Sequence, residues 1–187
     1  MRREIEIRDP SALRALAHPI RIRLLGLLRR EGAMTASEAG RRLAESSGST
    51  SYHLRQLARY DLVEETGTGR GRERPWRATA VFTSWPDVPD TPELEAASQE
   101  FARFLLGRYV ERLEQWIERT PDEPTEWREA AAFGDTMLYL TAAELAALRD
   151  RLGDLAEPYL DRLGHPELRP DDARPISFLR LAVPHDA

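Results

Sequence analysis

The sequence contains no cysteine, and its basic residues include no lysine. Without cysteine, disulfide bonds and thiolate metal sites are excluded. All 27 basic residues are arginine. This uniform choice indicates a coding bias rather than selection for phosphate binding, so the abundance of arginine alone carries no functional weight.

Long apolar stretches are also missing. No apolar run approaches the roughly 18 residues that suggest a membrane span, and the N-terminal "MRREIEIRDP" lacks the apolar region of a secretory signal. Apolar residues at 41% and charged residues at 32% of 187 residues are typical of a globular protein with one large or two small domains. We therefore expect a soluble protein of the cytoplasm.

Signatures of catalysis are absent from the sequence as well. No glycine-rich phosphate loop follows a predicted strand, and there is neither a nucleophile elbow nor a His-x-x-x-His pattern. The adjacent acids at 122–123 and 171–172 lie in proline-rich segments, where carboxylates are usually solvated. We expect no enzyme, no catalytic residue, no cofactor and no metal site.

The charges that are present divide unevenly between the two halves of the chain. Residues 1–80 hold 16 Arg against 10 acidic residues, a balance of +6, and residues 81–187 hold 11 Arg against 22 acidic residues, a balance of −11. Together these give the net charge of −5. A basic half joined to an acidic half predicts that only the first half meets nucleic acid.

Helix start and stop signals follow one another in the first 60 residues. A helix is predicted to start near Asp9 and to be interrupted before Pro19, because proline disfavours helix at the preceding residue. A second helix ends at Gly32, and Thr35 with its Glu three residues later forms a capping box for a third. A turn then leads into a fourth helix over about 49–60.

Two short strands and a linker are predicted next. The strands "LVEET" (62–66) and "PWRATA" (75–80) flank "GTGRGRER", a hairpin loop with three glycines and three arginines. Three prolines in "SWPDVPDTP" indicate a domain boundary. We divide the chain into a DNA-binding domain (1–84), a proline-rich linker (85–92) and a C-terminal dimerisation or regulatory region (93–187).

The last three of these four helices, followed by a glycine-arginine hairpin, describe a winged helix-turn-helix. The major groove of DNA admits one helix, and the small residues before Tyr52 allow its N-terminal end to approach closely. Arginines of the loop can reach phosphate or the minor groove. His18 is expected to fix a helix junction, whereas His53 either contacts DNA or packs on the helix edge. The candidate DNA-binding residues are Ser47, Ser49, Thr50, Ser51, Tyr52, His53, Arg55, Gln56, Arg59, Arg70, Arg72 and Arg74.

Over about residues 11–80 the chain resembles the ArsR-type winged-helix transcription regulators, in the branch with an added C-terminal region. "ALAHPIRIRLL" and "STSYHLRQL" carry most of the resemblance. It implies a homodimer, a recognition helix at 49–60, and repression that an effector relieves. Many members of that family sense metals through Cys and His. This chain departs from them, because it has no Cys and its four His are scattered.

The C-terminal half is predicted to begin with a helix over 93–120. Its apolar stripe is long for a small domain, so we expect it to form a dimer with help from the first helix. The candidate dimer residues are Leu13, Phe101, Phe104, Leu105, Leu113 and Trp116. Strands at 136–140 and 176–183 are expected to pair across a helix at 142–163, with "EIEIR" as a third strand. The aromatic residues of this half form either an ordinary core, which we favour, or an effector pocket.

The sequence thus predicts an α+β, mainly helical protein that binds double-stranded DNA at an inverted-repeat operator as a homodimer, and that acts as a repressor. A small-molecule effector of unknown identity is a further expected partner. The alternative is a winged-helix protein-interaction module without DNA binding. Salt-dependent retention on DNA separates the two.

Overall fold

The computed structural model describes residues 2–67 and 74–185. Helices dominate it, and the strands are short. In chain order the strands and α-helices are β1 (Arg2–Glu6), α1 (Pro10–Leu16), α2 (Pro19–Glu31), α3 (Ala36–Leu43), α4 (Ser47–Ala58), β2 (Val63–Glu65), β3 (Trp76–Ala78), β4 (Ala80–Ser84), α5 (Pro92–Arg119), α6 (Thr125–Ala130) and α7 (Ala142–Ala156). Short 3-10 helices lie at Thr120–Asp122, Glu157–Arg162 and Pro166–Leu168. The predicted mainly helical fold, with an N-terminal helix-turn-helix and a long C-terminal helix, is confirmed. No helix of the described ranges is both long and apolar enough to cross a bilayer.

The helix boundaries follow from local capping. The carboxylate of Asp9 accepts a hydrogen bond from the Ser11 amide at 2.8 Å and caps α1. Gly32 ends α2 with a φ of +79°, a conformation that favours glycine. The capping box at the start of α3 is complete, since Thr35 and Glu38 each accept from the other's backbone N–H. These predicted helix ends are confirmed.

Four strands pair in two separate ladders within the described residues. β2 and β3 are antiparallel, as the predicted wing requires, with Val63 opposite Ala78. β1 pairs in parallel with β4, and Arg2 lies opposite Ala80. The expected strand in "EIEIR" is therefore confirmed, but its predicted C-terminal partners are wrong. β4 follows β3 after a single residue. One edge of β4 pairs with β1, and this pairing satisfies backbone groups of β1.

One hydrophobic core joins the helices of the N-terminal half. Leu16 of α1, Leu24 of α2 and Leu54 of α4 are all fully buried. Residues Leu94 and Phe101 of α5 belong to the same core, because the first turns of this helix pack on α1. Each buried leucine stabilises the fold by about 1.5–3 kcal/mol.

A partly buried arginine fastens α2 to β4. Arg29 donates from Nε to the Ala80 carbonyl at 2.9 Å and from a terminal nitrogen to the Thr83 hydroxyl at 2.6 Å. Burial lowers the pKa of its guanidinium to about 10. The side chain therefore stays protonated at neutral pH, and its hydrogen bonds hold α2 against β4, the strand that also pairs with β1.

The C-terminal region differs from its prediction. Residues 136–140 and 176–183 form no strand, and none of the described residues from 121 to 185 is buried. The favoured interpretation of its aromatic residues as a core is wrong, since Tyr139 is 96% exposed and Phe133 is 73% exposed. A short apolar segment becomes a strand only where a neighbouring edge pairs with it, and neither segment pairs with any described strand. The capping box of Thr141 and Glu144 at the start of α7 is confirmed.

The candidate dimer residues divide into two groups. Leu13 is 0% exposed and Phe101 is 2% exposed, so their own chain covers them and they are wrong as dimer contacts. The sequence could not reveal this, because an apolar stripe looks alike whether its own domain or a second copy covers it. Phe104 and Leu105 lie half-buried against the core. Further along α5, Leu113 and Trp116 are half-buried.

Candidate nucleic-acid interface

The turn between α3 and α4 is tight because a glycine permits close approach. Ala44 takes the left-handed conformation at φ +57°. A Cβ on Gly40 would lie 2.8 Å from the Glu45 carbonyl oxygen and 3.0 Å from the Thr50 hydroxyl. α3 and α4 therefore pack as a helix-turn-helix pair only with a residue that lacks a side chain at this position.

α4 begins two residues earlier than predicted. Ser46 caps it, with its hydroxyl accepting from the Ser49 amide at 3.1 Å. This serine is hard to identify from the sequence because four serines lie close together in "SSGSTS" and no Glu or Gln follows at the capping-box position. The preference for serine at the N-cap position was the available signal.

The inner side of α4 is formed by Thr50, Leu54 and Leu57, each 0% exposed. The Thr50 hydroxyl donates to the Ser46 carbonyl at 2.9 Å, so it is satisfied inside the helix pair. Thr50 is therefore wrong as a DNA contact. Its position in phase with the two leucines places it toward the core.

The outer side of α4 carries the longer polar side chains. Tyr52 is 53% exposed, and Arg55 and Arg59 are also exposed. Gln56 is half-buried and accepts from Arg59 at 3.4 Å through its side-chain oxygen. Arginine, glutamine and tyrosine on one helix face can form hydrogen bonds with base edges, and arginine can also pair with phosphates.

Small residues line the start of the same helix. Ser47 and Gly48 are exposed, while Ser49 and Ser51 are half-buried. A Cβ on Gly48 would meet nothing within 4 Å. The packing of the chain therefore does not require glycine here, in contrast to Gly40, and the space in front of the helix is open to a partner.

His53 lies beneath this surface rather than on it. It is 8% exposed, and its ring lies 4.6 Å from that of His18 between centroids. Of the two alternatives for His53, packing is confirmed and direct DNA contact is wrong. Its Nδ1 is buried and has no hydrogen-bond partner among the described residues. His18 fixes the helix junction as predicted, because its Nδ1 accepts from the Ile20 amide at 3.2 Å.

Two charged residues face the histidine pair, and neither was predicted from the sequence. Burial lowers the pKa of His53, with His18 and Arg21 acting in the same direction and Glu45 opposing them. Burial, then Arg21, lowers the pKa of His18 in the same way, again against Glu45. Arg21 could have been found by its helical position three residues after His18. Glu45 lies in the turn, where no periodicity points to it.

The wing presents exposed ion pairs along its strands. Arg74 lies 3.5 Å from Glu65, and Arg77 lies 2.8 Å from Glu64. Exposed pairs of this kind contribute about 0–1 kcal/mol, so a phosphate can replace either carboxylate. Arg77 was not predicted, although it shares the strand that follows the loop. The candidate residues Arg70 and Arg72 lie outside the described residues.

Comparison with known proteins agrees with this geometry. A family model described as a helix-turn-helix domain matches residues 16–66, which include α2, α3, α4 and β2. The chain contains a helix-turn-helix domain. The match supports a DNA-binding regulator in general terms. No curated protein matches the chain.

Within the ranges that the structure describes, no three His, Asp or Glu side chains lie close enough to hold a metal ion.

Proposed function

We propose that this protein is a sequence-specific transcription regulator of the ArsR-like winged-helix type, that it binds DNA as a homodimer, and that it acts as a repressor. α4 enters the major groove, and Tyr52, Arg55 and Gln56 read base edges. The sugar-phosphate backbone of the DNA lies close to Ser47, Ser49, Ser51 and Arg59. The wing, with Arg70, Arg72 and Arg74, follows the backbone or the minor groove.

One observation carries this proposal: the contrast between the two glycines of the helix-turn-helix. Gly40 is required by internal packing, but Gly48 at the exposed start of α4 has open space around it. Beside Gly48 the helix presents its exposed polar face, including Tyr52 and Arg55. A close-approach surface next to exposed polar side chains is what insertion into a groove requires.

A stripe on α5 supports the homodimer. Leu106, Val110 and Ile117 are 52%, 46% and 57% exposed, and Leu113 lies between them at helical spacing. Successive steps of four, three and four residues give a coiled-coil seam. We call these four residues the α5 seam. Two copies joined along it would present two recognition helices, so the operator would be an inverted repeat with half-sites about one DNA turn, or a multiple, apart.

Selection from random duplex DNA tests the proposal. The full chain is incubated with a randomised duplex library, and the bound fraction is amplified and sequenced over several rounds. We expect an inverted-repeat motif whose retention falls steeply as salt rises. Retention of no sequence above the input distribution at low salt would contradict the proposal and favour a protein-interaction module.

A further inference from the structure

The end of α5 forms one wall of an open cleft. The cleft has a volume of about 450 Å³ and is lined by Trp116, Ile117, Thr120, Pro121, Arg128 and Phe133. Its volume lies within the range of about 300–1,000 Å³ that is common for small-molecule sites. Four of the six residues are apolar or aromatic. Phe133 is 73% exposed, so a ligand that covered it would remove apolar surface from water.

The charged residues around the cleft are not equivalent. Arg119 and Arg174 both pair with Glu123, at 3.4 Å and 2.7 Å. Each also lies over a tryptophan ring, Arg119 over Trp116 and Arg174 over Trp127. Arg128, by contrast, has no ion pair and no hydrogen bond from its side chain to any described residue. Among the residues that the structure describes, this cation of the cleft lining has no counter-ion.

From this combination we propose that the cleft binds aromatic carboxylates. The aromatic ring packs against Trp116 and Phe133, because offset or edge contacts between rings stabilise such pairs. The carboxylate pairs with Arg128, whose guanidinium presents a planar fork that matches two carboxylate oxygens. An aromatic ligand without charge would leave Arg128 unpaired, and a charged ligand without a ring would leave the apolar wall in water.

The position of the cleft links it to DNA binding through one helix. The first turns of α5 bury Leu94 and Phe101 in the core of the helix-turn-helix domain. Its last turn supplies Trp116 and Ile117 to the cleft, and Ile117 is also part of the α5 seam. A ligand here would therefore act on dimerisation and, through it, on the operator. This regulatory role rests on the proposed function, but the binding itself does not.

Isothermal titration of the full chain with 2-naphthoate and with 2-naphthamide tests the binding. The two probes share a ring system and differ in charge. We expect 2-naphthoate to bind at least about tenfold more tightly than 2-naphthamide, because its carboxylate can form a charge-assisted hydrogen bond. Arg128→Gln should abolish this preference, and Phe133→Ala should weaken both probes. Arg151→Gln, a change to an exposed arginine of α7 away from the cleft, should leave both affinities unchanged.

The variants are expected to fold, since Phe133 is mostly exposed and the Arg128 side chain has no ion pair or hydrogen bond to a described residue. Equal melting curves check this. Equal affinities for the two probes, a preference that survives Arg128→Gln, or binding of neither probe would overturn the proposal. Failure of the selection on DNA would leave these titrations unaffected, so the two proposals fail separately. If 2-naphthoate binds through Arg128 but leaves operator affinity unchanged, the regulatory role is wrong and the binding site stands.

Discussion

The rings of His18 and His53 lie 4.6 Å apart between centroids, and they join the junction before α2 to α4. The pair is set into the helix-turn-helix rather than on its surface, as the 8% exposure of His53 shows. Arg21 faces both rings and disfavours a proton on either, whereas Glu45 favours one. A proton on this pair would place a second positive charge beside Arg21 at the inner side of α4.

We expect stability to fall as pH falls through this pair. The folded pKa of each histidine is lowered from 6.5, so below that pH the unfolded chain binds more protons than the folded chain. The histidine contribution is therefore fully present above pH 6.5 and declines below it. Melting temperatures from about pH 7.5 to about pH 5.5 measure it.

His53→Phe keeps an aromatic ring against His18 and cannot titrate, so it should flatten that decline. His185→Phe, at an exposed position, should leave the profile as in the parent protein. If the melting temperatures of all three proteins fell by the same amount over this pH range, the histidine pair would not be the cause of the pH dependence.

The two glycines of the helix-turn-helix should respond differently to alanine. Gly40→Ala should destabilise the fold by about 1–3 kcal/mol, because the new Cβ would press on the Glu45 carbonyl. Gly48→Ala should leave stability equal or raise it by up to about 1 kcal/mol, since alanine favours helix. It should nevertheless weaken operator binding, because the Cβ fills space proposed for DNA. Thermal melts and operator affinities of both variants measure this, and an operator affinity unchanged by Gly48→Ala would contradict close approach at that residue.

Base reading and backbone positioning should separate between α4 and the wing. Arg55→Ala or Gln56→Ala should cost about 1–3 kcal/mol on the selected operator and much less on random duplex. Arg74→Ala should weaken both DNAs alike and reduce the salt slope by about one; Arg70→Ala and Arg72→Ala are expected to do the same. Affinities for both duplexes at several salt concentrations provide the test. Identical losses of affinity and identical changes in salt slope for Arg55→Ala and Arg74→Ala would show that α4 and the wing do not differ in their roles.

A charge in the α5 seam should separate the two copies. Val110→Glu would bring two carboxylates together across the proposed seam, and like charges in an apolar contact are strongly disfavoured. Gln115→Glu adds the same charge to the same helix outside the seam and is the matched control. Light scattering at micromolar concentration, with and without operator, should give a dimer for the parent and the control, and a monomer for Val110→Glu. A parent protein that is monomeric under both conditions would rule out the dimer.

The N-terminal strand should contribute measurably to stability. Ile7 follows β1 and is 5% exposed in the core, so Ile7→Ala should cost about 2–4 kcal/mol. Deletion of residues 1–8 should lower the melting temperature as well, since it removes β1 from β4. Glu4→Ala changes an exposed residue of the same strand and should have little effect. A deletion variant that melts like the parent would mean that the β1–β4 ladder adds no stability.

Features that depend on a few neighbouring residues were predictable from the sequence. The capping box at Thr35, the helix start at Asp9 and the end of α2 at Gly32 involve partners within one helical turn. The wing strands were predictable because a short loop between two β-rich segments makes them pair with each other. The polar face of α4 could be identified for the same reason, since helical period alone separates Tyr52 and Arg55 from Leu54.

What the tertiary structure decided is which surface each apolar or polar group meets. Periodicity does not show whether Phe101 is covered by its own chain or by a second copy. Here its own chain covers it, and the ring of Trp85 lies 5.1 Å from it between centroids. Periodicity also does not show that β1 pairs with β4 rather than with the C-terminal segments, because strand pairing depends on an edge far away in sequence. Nor does it show that His53 meets His18 and Arg21, since these residues approach only after α2 packs on α4. Local interactions determine where helices begin and end, whereas burial and pairing depend on contacts between distant parts of the chain.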